Sequence, residues 1–268
     1  DTVGVVLSAL EILGDDMHDV LGVNLKMVDN NPDISVSVDA NQVSKFEGFE
    51  IKVTSDNKLT ITGHDKHGAA YGVMEICRLL GVSPWKWWAD ATPTRLSSFE
   101  LPQGYVNSQS PSVRYRGIFI NDEDWGLMPW SSKTFEPSDI PGHIGPKTNA
   151  KIFELMLRLR ANTYWPAMHE CSVPFFLTEG NREVAEKYGI YIGGSHCEPM
   201  ACNAAGEWSR RGSGDYDYVN NSENVYRFWE YRVKTVADQE ILYTVGMRGV
   251  HDGAMNGANT CLLYTSPS

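Results

Sequence analysis

Residues 243–255 read YTVGMRGVHDGAM: a short apolar run that gives way to Arg248, His251 and Asp252. The run reads as a buried strand, and a strand that delivers a cation, an imidazole and a carboxylate at its end can house chemistry. Three stretches upstream do the same. VRYRGIFIND, at 113–122, leads into Asn121, Asp122, Glu123, Asp124 and Trp125. NTYWPAMHE, at 162–170, supplies Trp165, His169 and Glu170, and IYIGGSHCEPM, at 190–200, supplies His196 and Glu198.

Helical patterns separate the four. NAKIFELMLRLRA at 149–161 places Ile152, Leu155, Met156 and Leu159 on one face, and NREVAEKYG at 181–189 and SENVYRFWEYRVKTVADQ at 222–239 follow. Strand–helix repetition with crossovers of this length predicts parallel βα units. In a (β/α)8 barrel the C-terminal strand ends meet on one face, and that face is the active site. A whole barrel needs eight strands and about 250 residues. The expected fold class is therefore α/β: an N-terminal α/β domain over 1–108, then the first half of a (β/α)8 TIM barrel over 109–260, truncated.

The first domain is read from three signals. Val6, Leu10, Leu13, Met17 and Leu21 recur at helical spacing, with Gly22 as the stop. FEIKVTSDNKLTITG at 49–63 alternates as two strands about a turn at Ser55–Lys58. Ala70, Val73, Met74, Cys77 and Leu80 form a second helical stripe. Trp85, Trp87 and Trp88 follow, either as a packed aromatic knot or as a sugar-stacking edge. The Ser/Pro-bearing stretch TRLSSFELPQGYVNSQSPS reads as a connector.

The net charge of -11, from 23 basic and 34 acidic residues, argues against nucleic acid as a partner while leaving room for an anionic substrate opposed by a local arginine. No run approaches the ~20 apolar residues of a membrane helix. Five scattered cysteines make no disulfide framework. His196 and Glu198 lack the downstream cysteine pair of a zinc deaminase, so neither a metal nor a cofactor is expected. RRGSGDYDY at 210–218 reads as a surface loop. The last residues, CLLYTSPS at 261–268, resemble a translated sequencing adapter and are set aside as a non-native tail.

RGIFINDEDWGL, NTYWPAMHE, GGSHCEPM and GMRGVHDGAM resemble glycoside hydrolase family 115, the xylan α-1,2-glucuronidases, and ITGHDKHGAAYGVMEICRLLGVSPWKWWAD is similar to that family's first domain. The resemblance implies removal of glucuronic acid, often 4-O-methylated, from glucuronoxylan or aldouronic acids, with inversion. It implies Asp252 as general acid, Arg248 as an essential arginine, Asp122 or Asp124 as an essential aspartate, and His196 and Glu198 as a pocket motif. Trp165, His169, Glu170 and His251 are the further candidates for substrate binding. The family's catalytic base, a glutamate after a later strand, has no match in this sequence, so the chain alone is expected to be inactive. For the full-length form the resemblance implies a homodimer, and a polysaccharide substrate implies an extracellular or periplasmic location.

Two carboxyl groups must flank the scissile bond, and the acid must hold its proton. An arginine touching Asp252 would lower its pKa, so Arg248 is expected to point at the substrate carboxylate instead. Two other readings stay open: a non-catalytic carbohydrate-binding fragment, and a hexosaminidase-type hydrolase. The latter is disfavoured because Asp252 lacks an adjacent acid.

Overall fold

The computed structural model describes residues 4–121, 123–246 and 248–255. It is a mixed α/β structure in two compact units. The first comprises Asp1–Arg116, Lys151–Asn162 and Lys187–Gly189, and the second Gly117–Ala150, Thr163–Glu186 and Ile190–Ser268.

In the first unit a four-stranded sheet has the order β1-β3-β2-β4, from β1 (Ile34–Val38), β2 (Phe49–Val53), β3 (Leu59–Gly63) and β4 (Val106–Gln109). β2 and β3 are the expected antiparallel pair, in register Ile51 with Ile61, and β1 adds to β3 in parallel. Helix α2 (Lys66–Leu79) starts at the N-cap Asp65, whose carboxylate accepts from Gly68 N–H at 2.8 Å. It buries Ala70, Val73, Met74 and Cys77 in one core with Phe49, Ile51 and Ile61. Full burial of each such large apolar side chain stabilises by about 1.5–3 kcal/mol.

Helix α1 (Gly4–Leu21) packs against α2, but its fully buried stripe is Val5, Ala9, Ile12, Leu13 and Val20. The expected stripe shares only Leu13; Val6, Leu10, Met17 and Leu21 are half-buried flanks. In helix α4 (Pro146–Arg158) the buried apolar side chains are Ile152, Phe153, Met156 and Leu157, and the expected Leu159 is exposed. Spacings of three and four admit two neighbouring stripes in both helices, and the partner surface chooses between them.

Buried ion pairs fasten the three segments of this unit. Asp16 accepts from Arg158 at 2.7 and 3.1 Å and from Lys86 at 2.9 Å. Burial pushes its carboxyl pKa up, and these partners pull it below the ordinary value. Glu47 accepts from Arg116 Nη2 (2.5 Å) and Asn162 Nδ2 (2.9 Å). His67 Nε2 meets the Gly189 carbonyl at 2.6 Å. Of the three tryptophans, Trp87 and Trp88 meet edge-to-face at 4.9 Å, and Trp88 donates to the Lys151 carbonyl.

The second unit holds a parallel sheet in the order β5 (Gly117–Phe119), β6 (Thr163–Trp165), β7 (Tyr191–Ile192). Among the described residues the fourth expected strand is reduced to two parallel bridges, Ile192 with Ile241 and Pro199 with Thr244. Between β5 and α4 lie a short helix α3 (Leu127–Trp130) and a π-turn, Ser131–Phe135. Helices α5 (Asn181–Tyr188), α6 (Ala204–Arg211) and α7 (Ser222–Thr235) follow. Helices α6 and α7 enclose a core of Cys202, Ala204, Tyr216, Val225, Phe228 and Met255. The stretch at 210–218 is thus not wholly a surface loop: Tyr216 sits in this core and Asp217 is buried. No helix among the described residues is long and apolar enough to cross a membrane.

Candidate active site

Parallel pairing puts the C-terminal ends of β5, β6 and β7 on one edge, so the residues after each strand emerge side by side. Phe119 and Trp165 are register partners and meet edge-to-face at 5.5 Å. An added Cβ on Gly193 would come within 2.5 Å of the Trp165 Nε1, so glycine there makes room for the indole. The bridge at Thr244 ties the fourth segment to the third: Met200 N–H donates to Thr244 O, and Thr244 Oγ1 donates to Gly194 O at 2.7 Å.

Among the described residues, three groups of titratable side chains form along this edge. In the first, Asp252 Oδ1 stands 2.7 Å from His196 Nε2 and accepts from Arg248 Nη2 at 3.1 Å. Asp252 is 87% exposed, His196 43% and Arg248 42%, so this cluster faces solvent and His196 is no core histidine. The His196 hydrogen bond and charge, followed by the field of Arg248, hold the Asp252 carboxyl below its ordinary pKa. This corrects one expectation: Arg248 does touch Asp252. A turn over 250–253, closed by Gly253 N–H on Val250 O, folds the aspartate back toward the arginine. The contact uses only Nη2; the buried Arg248 Nε has no hydrogen-bond partner.

The second group pairs Glu170 Oε1 with His251 Nε2 at 3.0 Å. The third joins the ends of β5 and β6. His169 N–H and Ser172 Oγ donate to Glu123 Oε1 at 2.9 and 3.3 Å, while His169 Nδ1 lies 3.4 Å from Asp124 Oδ1. Glu123, Asp124 and His169 offer ligand atoms within 4.8 Å of one another and could hold a cation. Asp122, the other aspartate singled out after the first strand, lies outside the described residues, as does the tail at 261–268.

Glu198 takes a different position. It is buried, and its Oε2 accepts from Ser195 N–H at 3.0 Å. Burial pushes its carboxyl pKa up to about 8, with the charges of Glu207 and Glu123 adding to the rise. A group so placed supports the 195–198 turn from below. Cys197, whose Sγ meets the His251 carbonyl at 3.1 Å, links the third and fourth segments. Glu123, Ser172 and Cys197 were not among the candidates chosen from sequence. The signal for Glu123 was its place between two aspartates directly after a strand.

Carboxylates, imidazoles, a guanidinium and an indole gathered at the C-terminal edge of a parallel βα sheet form a site of the glycoside-hydrolase kind. Residues 108–265, more than half of the chain, match the profile of Glycosyl hydrolase family 115, and the chain belongs to that family. A solved structure described as a family GH115 4-O-methyl-alpha-glucuronidase with specificity for decorated arabinogalactans is 60% identical over 96% of this chain, with a TM-score of 0.93. The chain spans 36% of the length of that relative. A Flavobacterium johnsoniae chitobiase aligns over 93% of this chain and 40% of its own at 11% identity and a TM-score of 0.50, a likeness of fold alone. No curated protein sequence matches the chain.

Proposed function

We propose that this chain carries the uronate-binding and acid-catalytic side of an inverting α-glucuronidase. The observation that carries the reading is the meeting of Arg248, His196 and Asp252 from two strand ends within hydrogen-bonding distance. The parallel order β5-β6-β7, continued by the bridge at Ile241, supports its placement on the first four βα units of a barrel spanning 109–260, after an α/β domain at 1–108. The released sugar is glucuronic acid or its 4-O-methyl ether, and the leaving oxygen belongs to the polysaccharide. Its solved relative acts on decorated arabinogalactans, so an arabinogalactan branch is the first substrate to offer and glucuronoxylan the second.

In this reading the same contacts bear on how the acid is armed. A general acid must hold a proton at working pH, whereas Asp252 without substrate is biased toward its ionised form. Arg248 has an uncommitted Nε and holds Asp252 through Nη2 alone. A uronate carboxylate offers the guanidinium a bidentate partner that Asp252 does not. Arg248 turns toward the substrate and its pull on Asp252 falls; the His196 contact, the larger cause of the low pKa, must give way as well before the aspartate can hold the proton it gives to the leaving oxygen.

The test is Arg248→Lys in the intact enzyme, on a glucuronide and on the matching neutral glucoside. Lysine keeps the charge and loses the fork, so catalytic efficiency on the glucuronide should fall about 10- to 100-fold, the loss of one charged hydrogen bond. The neutral glucoside should lose much less. Equal losses on both would leave Arg248 a structural partner of Asp252 and refute the assignment.

A further inference from the structure

We propose that Glu123, Asp124 and His169 bind a divalent first-row cation such as Mn2+ or Zn2+. Two independent observations meet here. The first is geometry: His169 Nδ1 lies 3.4 Å from Asp124 Oδ1 and 3.7 Å from Glu123 Oε2. Ligands held about 2.0–2.2 Å from one ion stand about 3–3.5 Å apart, so the His169 nitrogen already stands near that spacing from both carboxylate oxygens, and all three atoms lie within 4.8 Å of one another.

The second is an unanswered buried atom. Glu123 is 1% exposed, and its Oε1 is satisfied by His169 N–H and Ser172 Oγ. Its Oε2 is buried with no hydrogen-bond partner, and it is the oxygen that faces the His169 ring. A carboxylate oxygen buried without a donor is costly. Among the described residues neither Glu123 nor Asp124 has a lysine or arginine partner; the basic group that faces both is the His169 imidazole. A metal ion supplies the missing charge on the side where Oε2 is open.

The donor set decides the class of ion. Two carboxylate oxygens and one imidazole nitrogen suit Mn2+ or Zn2+; Ca2+ takes six to eight oxygens, and no thiolate is in the set. The backbone N–H of His169 on Glu123 Oε1 fixes the carboxylate orientation, the kind of support that ligands of a metal usually have. Three protein ligands leave positions for water or for a sugar oxygen at the mouth of the same strand edge. The inference stands whether or not the enzyme proves to be an α-glucuronidase.

The test uses the intact protein, stripped with a chelator and titrated with Mn2+, reading free Mn2+ by electron paramagnetic resonance and binding by calorimetry. Zn2+ is titrated in a second series. Saturable binding is expected, weakened at least ~10- to 100-fold in Asp124→Asn and in His169→Gln, the loss reported for disturbing a metal's coordination. Both residues are partly exposed, so these variants should fold, as unchanged circular dichroism would confirm. Glu123→Gln should lose binding as well. No saturable binding by millimolar Mn2+ or Zn2+ would overturn the proposal. So would binding whose affinity survives both Asp124→Asn and His169→Gln, since the ion would then sit elsewhere. Neither readout depends on turnover, so either result is separable from the fate of the Arg248 assignment.

Discussion

Replacing Glu198 with glutamine should flatten the dependence of stability on pH. The carboxyl is buried and its pKa is raised to about 8, against an unfolded value near 4.5. Between these values the folded state holds a proton that the unfolded state has released. Stability supplied by the neutral acid is therefore fully present below about pH 4.5 and drains away as pH rises toward 8. Each pH unit in that window removes roughly 1.4 kcal/mol, so from pH 5.5 to 7.5 the wild type should lose roughly 2–3 kcal/mol through this group. Glutamine keeps an oxygen for Ser195 N–H and does not titrate. Urea unfolding at pH 5.5, 6.5, 7.5 and 8.5 gives the slope for each protein, and subtracting the two isolates Glu198 from other ionisable groups. The variant should already exceed the wild type by roughly 1.4 kcal/mol at pH 5.5 and by a widening margin up to pH 8.5. Parallel slopes would show that Glu198 titrates normally and would refute the account of its burial.

Two further outcomes test the first unit. Gly68→Ala would place a Cβ 2.1 Å from the Gly48 carbonyl oxygen, so α2 must shift away from that backbone; a loss of about 1–3 kcal/mol is expected in denaturant unfolding, and a neutral result would show that the contact is looser. Asp65→Ala removes the acceptor for both Gly68 N–H and Glu47 N–H and should cost about 1–2 kcal/mol, with Asp65→Asn recovering part of it; equal losses in the two variants would remove the capping explanation.

The sequence exposed those parts of the fold whose signal is periodic and whose neighbours are close in the chain. The β2–β3 hairpin and α2 carry alternation or a helical stripe of their own, and both form as expected. The edge strand β4, VNSQ, escaped because it buries no complete side chain and carries no apolar alternation, whereas the edge strand β1, ISVSV, does alternate, with Ile34 and Val36 packed against the core, and is too short and half-exposed to stand out. The last strand was overdrawn, since YTVG looks apolar while, among the described residues, only Ile241 and Thr244 bridge to neighbours. In the site, the rule that parallel strands end together brought the right loops to one edge. Which side chains pair across it was hidden, because His196–Asp252 and Glu170–His251 join residues 56 and 81 positions apart. Glu123 and Asp124 are adjacent, yet one is buried and the other exposed, a difference set by which way the chain turns after β5.

The order in which a ribosome makes this chain matters to its first unit. That unit draws on residues up to Gly189, although its sheet and first two helices are complete by Arg116. At about 5–20 residues per second, Arg158 and Asn162 follow roughly 2–9 s later and Gly189 roughly 4–15 s later. Until then Asp16 has Lys86 but not Arg158, Glu47 lacks Asn162, and the His67 ring has no Gly189 carbonyl to meet. The nascent domain therefore waits with charged groups sited for partners still inside the ribosome. Synonymous changes that slow or speed translation between codons 117 and 189 act on that interval, and so on how long an unfinished core stays open to chaperones and proteases.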